Sequence, residues 1–420
     1  MSEAQRLPGG WTPPKADQAW VIRPGCVLLP EGDVASGFDV VVLGTRIEAV
    51  TPRGNALPTG APVLDVPGAS LLPGMIDSHV HLTFSADAQL VENVVRETAP
   101  AQLARAAGNA QRALASGITT AVDCGGLTEV VVALRDGIAS GRLQGPRLLV
   151  SGAPLTTTAG HCHWLGGTAD SQDDLIRAMR SLVAAGVDVI KVMVTGGNIT
   201  EGSNPSRLQF PPDSIAALAR ECERLGRSLI THAHTTEAVE LSAAVGARVI
   251  AHSTCAMGEG AVELDEATIK RLLAAGCYVD PTLMVARPGY GDGSDRSERR
   301  LAQRRAMLPL FAEMHRSGIP LLAGTDAGVP GVPHGSVAGS VIALHREIGL
   351  PVAQALCAAT SVPARAFQID DQVGALLPGR SADLLLLDGL VGDDIEATGR
   401  PLAVWKAGAL VARGGLLTFT

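Results

Sequence analysis

Pairs of histidines follow several short apolar segments of this sequence. In GMIDSHVHL (residues 74–82), His79 and His81 are one residue apart. Side chains at positions i and i+2 of a β-strand point to the same face, so these two imidazoles would point to one place. Six more histidines follow apolar segments elsewhere: His161, His163, His232, His234, His252 and His334. Imidazoles grouped in this way are typical ligands of zinc and similar divalent ions, whereas a single one would more often be a hydrogen-bonded core residue.

Two other ionisable residues lie in or at the end of predicted buried strands. Asp326 ends PLLAGTD, where a carboxylate must be paired, bound to metal or exposed. Lys191 lies in the middle of VDVIKVMV, in a chain with four lysines and thirty arginines. Because arginine supplies positive charge elsewhere, a lysine here indicates chemistry that needs an amine. An ion pair with a neighbouring acid such as Asp188 is the alternative.

These residues form a candidate metal-binding set: His79, His81, Lys191, His232, His252 and Asp326. A protonated lysine cannot bind a cation, but a neutral ε-amine can add carbon dioxide to become a carbamate, which can bridge two ions. Burial next to metal ions favours the neutral amine. The residue types therefore predict a metal site to which Lys191 contributes as a carbamate.

A repeated pattern of helix, glycine and short apolar segment must position this set. It occurs in ALASGITTAVDCGG, LVAAGVDVIKVMVTGG, CERLGRSLITHAH, SAAVGARVIAHST, LLAAGCYVDPTL and MHRSGIPLLAGTD. The glycines fall where a helix C-cap needs a left-handed residue: Gly117, Gly186, Gly226, Gly246, Gly276 and Gly318. The segments that follow them are apolar on both faces, as parallel strands buried on both sides are.

With GMIDSHVHL and GPRLLVSGAPLT added, the pattern gives eight strands. It predicts an α/β fold, a (β/α)8 TIM barrel over residues 71–360, in which the histidines lie at the C-terminal rim. A doubly wound open sheet is the alternative, but GxGxxG does not follow the first strand. Short β-like segments in residues 1–70 and 361–420 predict a small β-sandwich domain built from both termini. Extra edge strands on the barrel are the other interpretation.

Composition limits the possible partners and the compartment. The chain has 420 residues, a net charge of −8 and no basic stripe, which argues against a nucleic-acid partner. Its seven cysteines are scattered and include no CxxC, which favours reduced thiols in a cytoplasmic protein. The sequence shows no secretory signal and no segment suited to cross a membrane.

The chain resembles the metal-dependent amidohydrolase superfamily. The resemblance rests on VPGASLLPGMIDSHVHL, GITTAVDCGG, DVIKVMVTGGNIT, ITHAH, VIAHST, LLAGTDAG and TSVPARAFQIDDQVGALLPGRSADLLLLDG, in this order. PRLLVSGAPLTTTAGHCHWLGG resembles more closely the branch of prolidase-like and arginine-carboxypeptidase-like dipeptidases and ochratoxin-hydrolysing amidases. The resemblance implies two zinc ions, one held by His79, His81 and Asp326 and the other by His232 and His252. Carbamylated Lys191 and a hydroxide would bridge them.

The resemblance implies hydrolysis of a linear amide bond, in a small-molecule substrate such as a dipeptide or an N-acyl amino acid. Asp326 would take a proton during attack and deliver it to the leaving nitrogen. His161 and His163 would orient the carbonyl or stabilise its oxyanion, unless they are only polar loop residues. His234, Arg287 and Tyr290 are candidate substrate contacts, although the loop of the last two could equally be solvated. Related barrels often associate, so we expect a homo-oligomer.

Other functions remain open from the sequence. A deaminase or an imidazolonepropionase-like enzyme is disfavoured because His234 occupies the place where deaminases carry a glutamate, and because Lys191 is present. Cys162, between two histidines, could be a nucleophile. A non-catalytic barrel would have lost ligand residues, which this chain retains. Hydrolysis of a carbamate, urea, lactone or phosphotriester stays an alternative, because the metal chemistry is shared and the loops choose the substrate. HGSVAGSVIALHREIGL also departs from the family pattern after GTDAG, which bears on the substrate preference and not on the metal site.

Overall fold

The computed structural model describes residues 11, 14, 17–258, 261–285, 287 and 295–418. Its strands are β1 (Trp20–Leu28), β2 (Val34–Ser36), β3 (Phe38–Leu43), β4 (Arg46–Pro52), β5 (Val63–Pro73), β6 (Met75–Val80), β7 (Ile118–Asp123), β8 (Arg147–Val150), β9 (Val189–Met193), β10 (Ser228–Thr235), β11 (Val249–Gly258), β12 (Ala261–Val262), β13 (Tyr278–Asp280), β14 (Leu384–Asp388), β15 (Pro401–Lys406), β16 (Ala409–Arg413) and β17 (Leu416–Leu417). Its α-helices are α1 (Leu90–Arg96), α2 (Ala99–Ala115), α3 (Thr128–Ala139), α4 (Gln172–Ala184), α5 (Pro212–Arg224), α6 (Thr236–Ala244), α7 (Glu266–Ala275), α8 (Asp295–Arg316), α9 (Val337–Ala343), α10 (Val352–Cys357) and α11 (Ser361–Ala366).

The chain divides into two compact units, and the first is β-rich. This unit comprises residues 1–77, 110–120 and 335–420. Its sheet has nine strands in the order β17-β16-β15-β14-β5-β1-β3-β4, with β2 paired to β1. An apolar cluster that includes Trp20, Leu71, Leu384 and Trp405 forms its core. Both ends of the chain thus contribute strands to one sheet, while the boundaries at residues 70 and 361 stay a prediction.

The second unit, residues 78–109 and 121–334, contains most of the barrel pattern. One barrel sheet has the order β6-β7-β8, and another has β9, β10, β11 and β13 as parallel neighbours. The predicted eighth segment, PLLAGTD, forms no ladder in the structure. Isolated parallel β-bridges connect the remaining neighbouring segments around the barrel: Leu155 with Val192, Val279 with Leu321, and Val80 with Ala327. The fold is an α/β barrel of the (β/α)8 type, although its ladders do not close into one continuous sheet.

Local sequence explains the alternation of helices and strands. All six predicted C-cap glycines have positive φ, as expected: Gly117, Gly186, Gly226, Gly246, Gly276 and Gly318. Strands β7 and β9 are buried along their whole length, which confirms that their apolar runs pack on both faces. Ser171, Thr235 and Asp265 cap the N-termini of α4, α6 and α7 through their side chains. None of the described helices is both long and apolar enough to cross a membrane.

Candidate active site

A cavity of about 160 Å³ lies in the second unit, among residues of the barrel strands, of the loops that follow them and of α8. Its lining includes the ionisable residues His79, His81, His161, Lys191, His232, His234, His252, Arg287, Arg304 and Asp326. His79 lies near the end of β6, Lys191 in β9, His232 and His234 in β10, and His252 in β11. The strand order therefore brings residues far apart in sequence to one rim, as expected for a barrel.

One ligand group is built around the Asp326 carboxylate. Its Oδ1 lies 3.1 Å from His81 Nε2 and 3.5 Å from His79 Nε2. His81 Nδ1 lies 3.0 Å from the Gly125 carbonyl oxygen, to which it can only donate. This hydrogen bond orients the ring so that Nε2 faces the carboxylate, as second-sphere partners do for metal-bound imidazoles.

A second group consists of the three histidines of β10 and β11. His232 Nε2 donates to the Gly196 carbonyl at 3.2 Å, which leaves Nδ1 available as a ligand. His252 Nδ1 lies 2.9 Å from Thr282 Oγ1, which leaves its Nε2 available. His234 Nδ1 lies 3.1 Å from Thr254 Oγ1. One ring nitrogen of each residue is thus held by the protein.

The distances define two overlapping sets that could each hold a metal ion. Ligand atoms of His79, His252 and Asp326 lie within 4.8 Å of one another, and so do those of His232, His234 and His252. His252 therefore belongs to both sets. His234, predicted as a substrate contact, is grouped with the predicted ligands.

Lys191 lies in the cavity wall without a hydrogen-bond partner. It is 1% exposed, and among the described residues no group pairs with its Nζ. The alternative partner, Asp188, instead accepts from Arg135 Nη1 and from the Val150 amide, both at 2.9 Å. A buried amine without a partner is costly. Its isolation beside neutral imidazoles and a carboxylate fits a site that binds divalent metal through these residues.

Burial sets the protonation states of this cluster. It lowers the pKa of His79, His232 and His252 well below the usual range, and nearby positive groups add to the effect. The pKa of His234 falls to about 4 mainly for the same reason. Burial alone would raise the pKa of Asp326, but the His81 hydrogen bond and adjacent positive groups lower it to about 2. Neutral imidazoles and an ionised carboxylate are the forms that bind zinc.

Several of these residues have a left-handed backbone. φ is +67° at His252, +60° at Asp326 and +46° at Thr282. Such conformations cost a non-glycine residue on the order of 1 kcal/mol and persist only where surrounding contacts maintain them. Two candidate ligands, and the threonine whose hydroxyl contacts one of them, thus have a strained backbone.

The structure places His161 and His163, which flank Cys162, in different surroundings. His161 lines the cavity, and its ring lies 4.8 Å from that of His232. A Cβ on Gly197 would overlap the His161 imidazole, so the glycine permits this close approach. His163 does not line the described part of the cavity, and its Nδ1 donates to the Gly160 carbonyl at 2.9 Å. Cys162 lines the cavity, but burial raises the pKa of its thiol strongly, which argues against a thiolate nucleophile.

The loop after β13 is only partly described. Arg287 is half-buried and lines the cavity. Tyr290, the other predicted contact in this loop, lies outside the described residues. Three functional candidates were missed by the sequence analysis: Thr254, Thr282 and Arg304. Thr254 lies in β11 and Thr282 follows β13, so the expectation that the chemistry lies at the C-terminal rim of the barrel could have found both. Arg304 lies in the arginine-rich α8 and carries no such signal.

Comparison with known proteins assigns a family to this architecture. Residues 70–411 match the model described as "Amidohydrolase family". The chain is 27% identical to ochratoxinase from Aspergillus niger over 379 residues, which cover 82% of this chain and 76% of that protein. It is also 27% identical over 431 residues to imidazolonepropionase from Rubrobacter xylanophilus, covering 93% of both chains.

A solved prolidase structure, complexed with N-methylphosphonate-L-proline, is similar throughout. Its TM-score is 0.82 at 27% sequence identity, with coverage of 94% of this chain and 100% of that chain. These similarities agree with the prolidase-like and ochratoxinase-like branch to which the motifs pointed. Because the family match spans most of the sequence, the chain belongs to the amidohydrolase family and is a hydrolase of carbon–nitrogen bonds.

Proposed function

We propose that this chain hydrolyses the linear amide bond of a dipeptide or an N-acyl amino acid, with two divalent metal ions bound in the cavity. The observation that carries the proposal is that four histidines and the Asp326 carboxylate line one cavity together with the buried Lys191, whose Nζ has no hydrogen-bond partner among the described residues. A deaminase with one ion does not require a buried lysine at this place. The name ochratoxinase and the prolidase relative support an amide substrate.

The proposed ligands are those named from the sequence: His79, His81, Lys191, His232, His252 and Asp326. We assign zinc because imidazole and carboxylate ligands suit it, and we assign a carbamate to Lys191 because a neutral buried amine can add carbon dioxide. Ions bound at these residues would polarise the substrate carbonyl and lower the pKa of bound water. His234 lies close enough to serve as a further ligand or as a substrate contact.

Asp326 is the proposed proton carrier. Its ionised carboxylate accepts a proton as water attacks the carbonyl carbon, and it returns the proton to the amide nitrogen as the carbon–nitrogen bond breaks. This second transfer matters because amines leave poorly unless protonated. The Asp326 backbone amide donates to the His79 carbonyl at 2.8 Å, which fixes the carboxylate beside the two histidines.

His161 is the proposed group that orients the substrate carbonyl. Its Nδ1 has no hydrogen-bond partner among the described residues, and burial chiefly lowers the ring pKa to about 3. A neutral imidazole can donate one hydrogen bond to a developing oxyanion. The Gln209 side chain accepts from the His161 backbone amide at 2.7 Å and holds the loop in place.

The test is release of free amine from dipeptides and N-acyl amino acids, with aryl carbamates, phenylureas and a lactone included as other bond types. The protein would be loaded with zinc in bicarbonate buffer, with Asp326→Asn as the matched inactive control. We expect turnover of one group of amides that is lost in the variant. Turnover of a carbamate, urea or lactone alone would contradict the amide assignment, while retained activity of Asp326→Asn would contradict the role of its carboxylate.

A further inference from the structure

We propose that Gln209 and Thr200 are positioning residues, which hold the His161 imidazole in the cavity and affect the reaction only through it. Both lie in residues 194–211, the segment between β9 and α5, which we call the β9 loop. This inference rests on the proposed function and deepens it, because it identifies what places the group that orients the substrate carbonyl. Neither the motifs nor the relatives assign a role to these two side chains.

The backbone on either side of His161 needs support from outside its own loop. φ is +58° at both Ala159 and Cys162, a left-handed conformation that costs a non-glycine residue on the order of 1 kcal/mol. Such residues persist only where surrounding contacts maintain them. His161 is 4% exposed, so neighbouring segments of the chain enclose it and can supply these contacts.

Gln209 connects the His161 backbone to the end of β9. Its Oε1 accepts from the His161 amide at 2.7 Å, and its Nε2 donates to the Met193 carbonyl at 2.8 Å. The Gln209 backbone amide donates to the Val194 carbonyl at 2.8 Å, which fixes the backbone from which this side chain extends. A carboxamide suits this place because it has both an acceptor and a donor, whereas a carboxylate could not donate to a carbonyl. His161 is thereby connected to the strand that carries Lys191.

Thr200 and Gly197 add two further contacts from the same loop. Thr200 Oγ1 accepts from the Cys162 amide at 2.9 Å, so the β9 loop binds two consecutive amides, those of residues 161 and 162. A Cβ on Gly197 would overlap the His161 ring, so the loop backbone packs directly against the imidazole. Loss of the Gln209 or Thr200 hydrogen bonds should therefore let the ring shift without removing the imidazole itself.

The first experiment measures kcat of Gln209→Met, alone and combined with His161→Ala, on the amide that the zinc-loaded protein hydrolyses best. Methionine is similar in size to glutamine but cannot form either hydrogen bond. We expect kcat to fall about 10- to 100-fold in Gln209→Met, since a small displacement of a group that acts on the substrate has effects of this size. In the His161→Ala background the same substitution should change kcat by less than about twofold, because the group that Gln209 positions is absent.

The matched control is Gln172→Met, at an exposed glutamine in the first turn of α4. It replaces the same pair of residue types and should behave as wild type. Bound zinc should be equal in the wild-type protein, in Gln209→Met and in the control.

Thr200 gives a second, independent test of the same loop. Thr200→Val keeps the shape but removes the hydroxyl that accepts from the Cys162 amide, and we expect kcat to fall by about 10-fold. Thr200→Ser keeps the hydroxyl and should retain most of the wild-type kcat. The loss in Thr200→Val should vanish in the His161→Ala background. If Gln209→Met does not fold, these variants decide: an equal loss with and without His161 would refute the inference.

Hydrogen–deuterium exchange, resolved to single amides, reports the placement of His161 without reference to turnover. In the zinc-loaded protein, the His161 amide should exchange at least about 10-fold faster in Gln209→Met than in wild type, because its hydrogen-bond acceptor is removed. Gln172→Met should leave this exchange unchanged.

The outcomes separate this inference from the proposed function. If the losses of Gln209→Met and His161→Ala add in full, positioning through His161 is refuted while the amidase assignment stands. A loss in Gln209→Met that is accounted for by lost zinc would refute it equally. If no amide is hydrolysed, the proposed function fails and the exchange of the His161 amide decides. Unchanged exchange in Gln209→Met would then overturn the inference, and faster exchange would support the placement of His161 by Gln209.

Discussion

The Thr282 hydroxyl oxygen lies 2.9 Å from His252 Nδ1, and both residues have a left-handed backbone. The Thr282 amide donates to Asp280 Oδ1 at 3.2 Å, and Ser78 Oγ donates to the other oxygen of this buried carboxylate at 2.7 Å. A chain of hydrogen bonds thus connects β6, β13 and the candidate ligand in β11. Its effect is to fix the ring of His252 with Nε2 available.

Replacement of Thr282 should therefore weaken metal binding without direct loss of a ligand. Thr282→Val keeps the shape but removes the hydroxyl, and we expect metal affinity to fall about 10- to 100-fold. Thr282→Ser retains the hydroxyl and should remain close to wild type. Competition with a chromogenic chelator measures both. Equal affinities of the two variants would show that the hydroxyl does not position His252.

Asp326→Asn should remove turnover while the protein stays folded. Asparagine is similar in size but cannot accept and return a proton, so we expect kcat to fall by on the order of 10³-fold. Metal should still bind in part, because the amide oxygen and the histidines remain. Metal content and kcat would be measured on the same sample. A loss of activity fully explained by lost metal would assign Asp326 a ligand role alone.

Lys191→Ala should lose bound metal, and added acetate or propionate should restore part of both metal and activity. The reason is that a short carboxylate can occupy the space left by a carbamate. Lys270→Ala offers a matched control, since Lys270 is an exposed lysine paired with Glu266 on α7. Unchanged metal content in Lys191→Ala, as in the control, would contradict the carbamate.

His161 and His163 provide a comparison within one motif. We expect His161→Ala to lower kcat by about 100-fold with little change in bound metal, because it removes the hydrogen-bond donor that we propose for the substrate carbonyl. His163→Ala should stay within a few-fold of wild type, since its ring hydrogen-bonds the Gly160 carbonyl instead. Steady-state kinetics of the two variants side by side decides this. Equal losses in both would contradict the assignment of the oxyanion donor to His161 alone.

The Glu221 carboxylate, which lies outside the candidate active site, should contribute to the stability of the folded protein in a pH-dependent way. Hydrogen bonds from Arg224 and Arg180 lower the pKa of its carboxyl to about 2. A lowered folded-state pKa stabilises the protein above the unfolded pKa of roughly 4.5, and this stability is lost as the pH falls toward 2. Glu221→Gln should thus lower the melting temperature at pH 7 and have little effect near pH 2. A pH-independent difference would exclude this ion-pair origin.

Much of the barrel could be predicted because its signals are local. A glycine after each helix and a run of apolar residues after each glycine determine where helices end and buried strands begin. PLLAGTD fits this pattern, yet it forms a single isolated bridge, between Leu321 and Val279, because ladder formation depends on the geometry of both neighbouring strands. Its role in placing Asp326 is unaffected.

Residues outside strands were harder to place. The rule that i and i+2 point together suits His79 and His81, but it fails for His161 and His163. Between these two, Cys162 has φ +58° and a short helical turn begins at His163, so the chain changes direction. Arg304 could not be found because burial of one helix face depends on which residues pack against it. Asp188 pairs with Arg135, which is distant in sequence, so local sequence could not predict this ion pair either.

The most direct test of the central claim is a metal titration of activity. Protein freed of metal by chelation would be reconstituted with increasing zinc in bicarbonate buffer, and hydrolysis of the preferred N-acyl amino acid would be measured at each step. The two-metal account predicts little turnover without metal and a rise that reaches its plateau at two equivalents per chain. Full activity at one equivalent, or turnover by the metal-free protein, would contradict it.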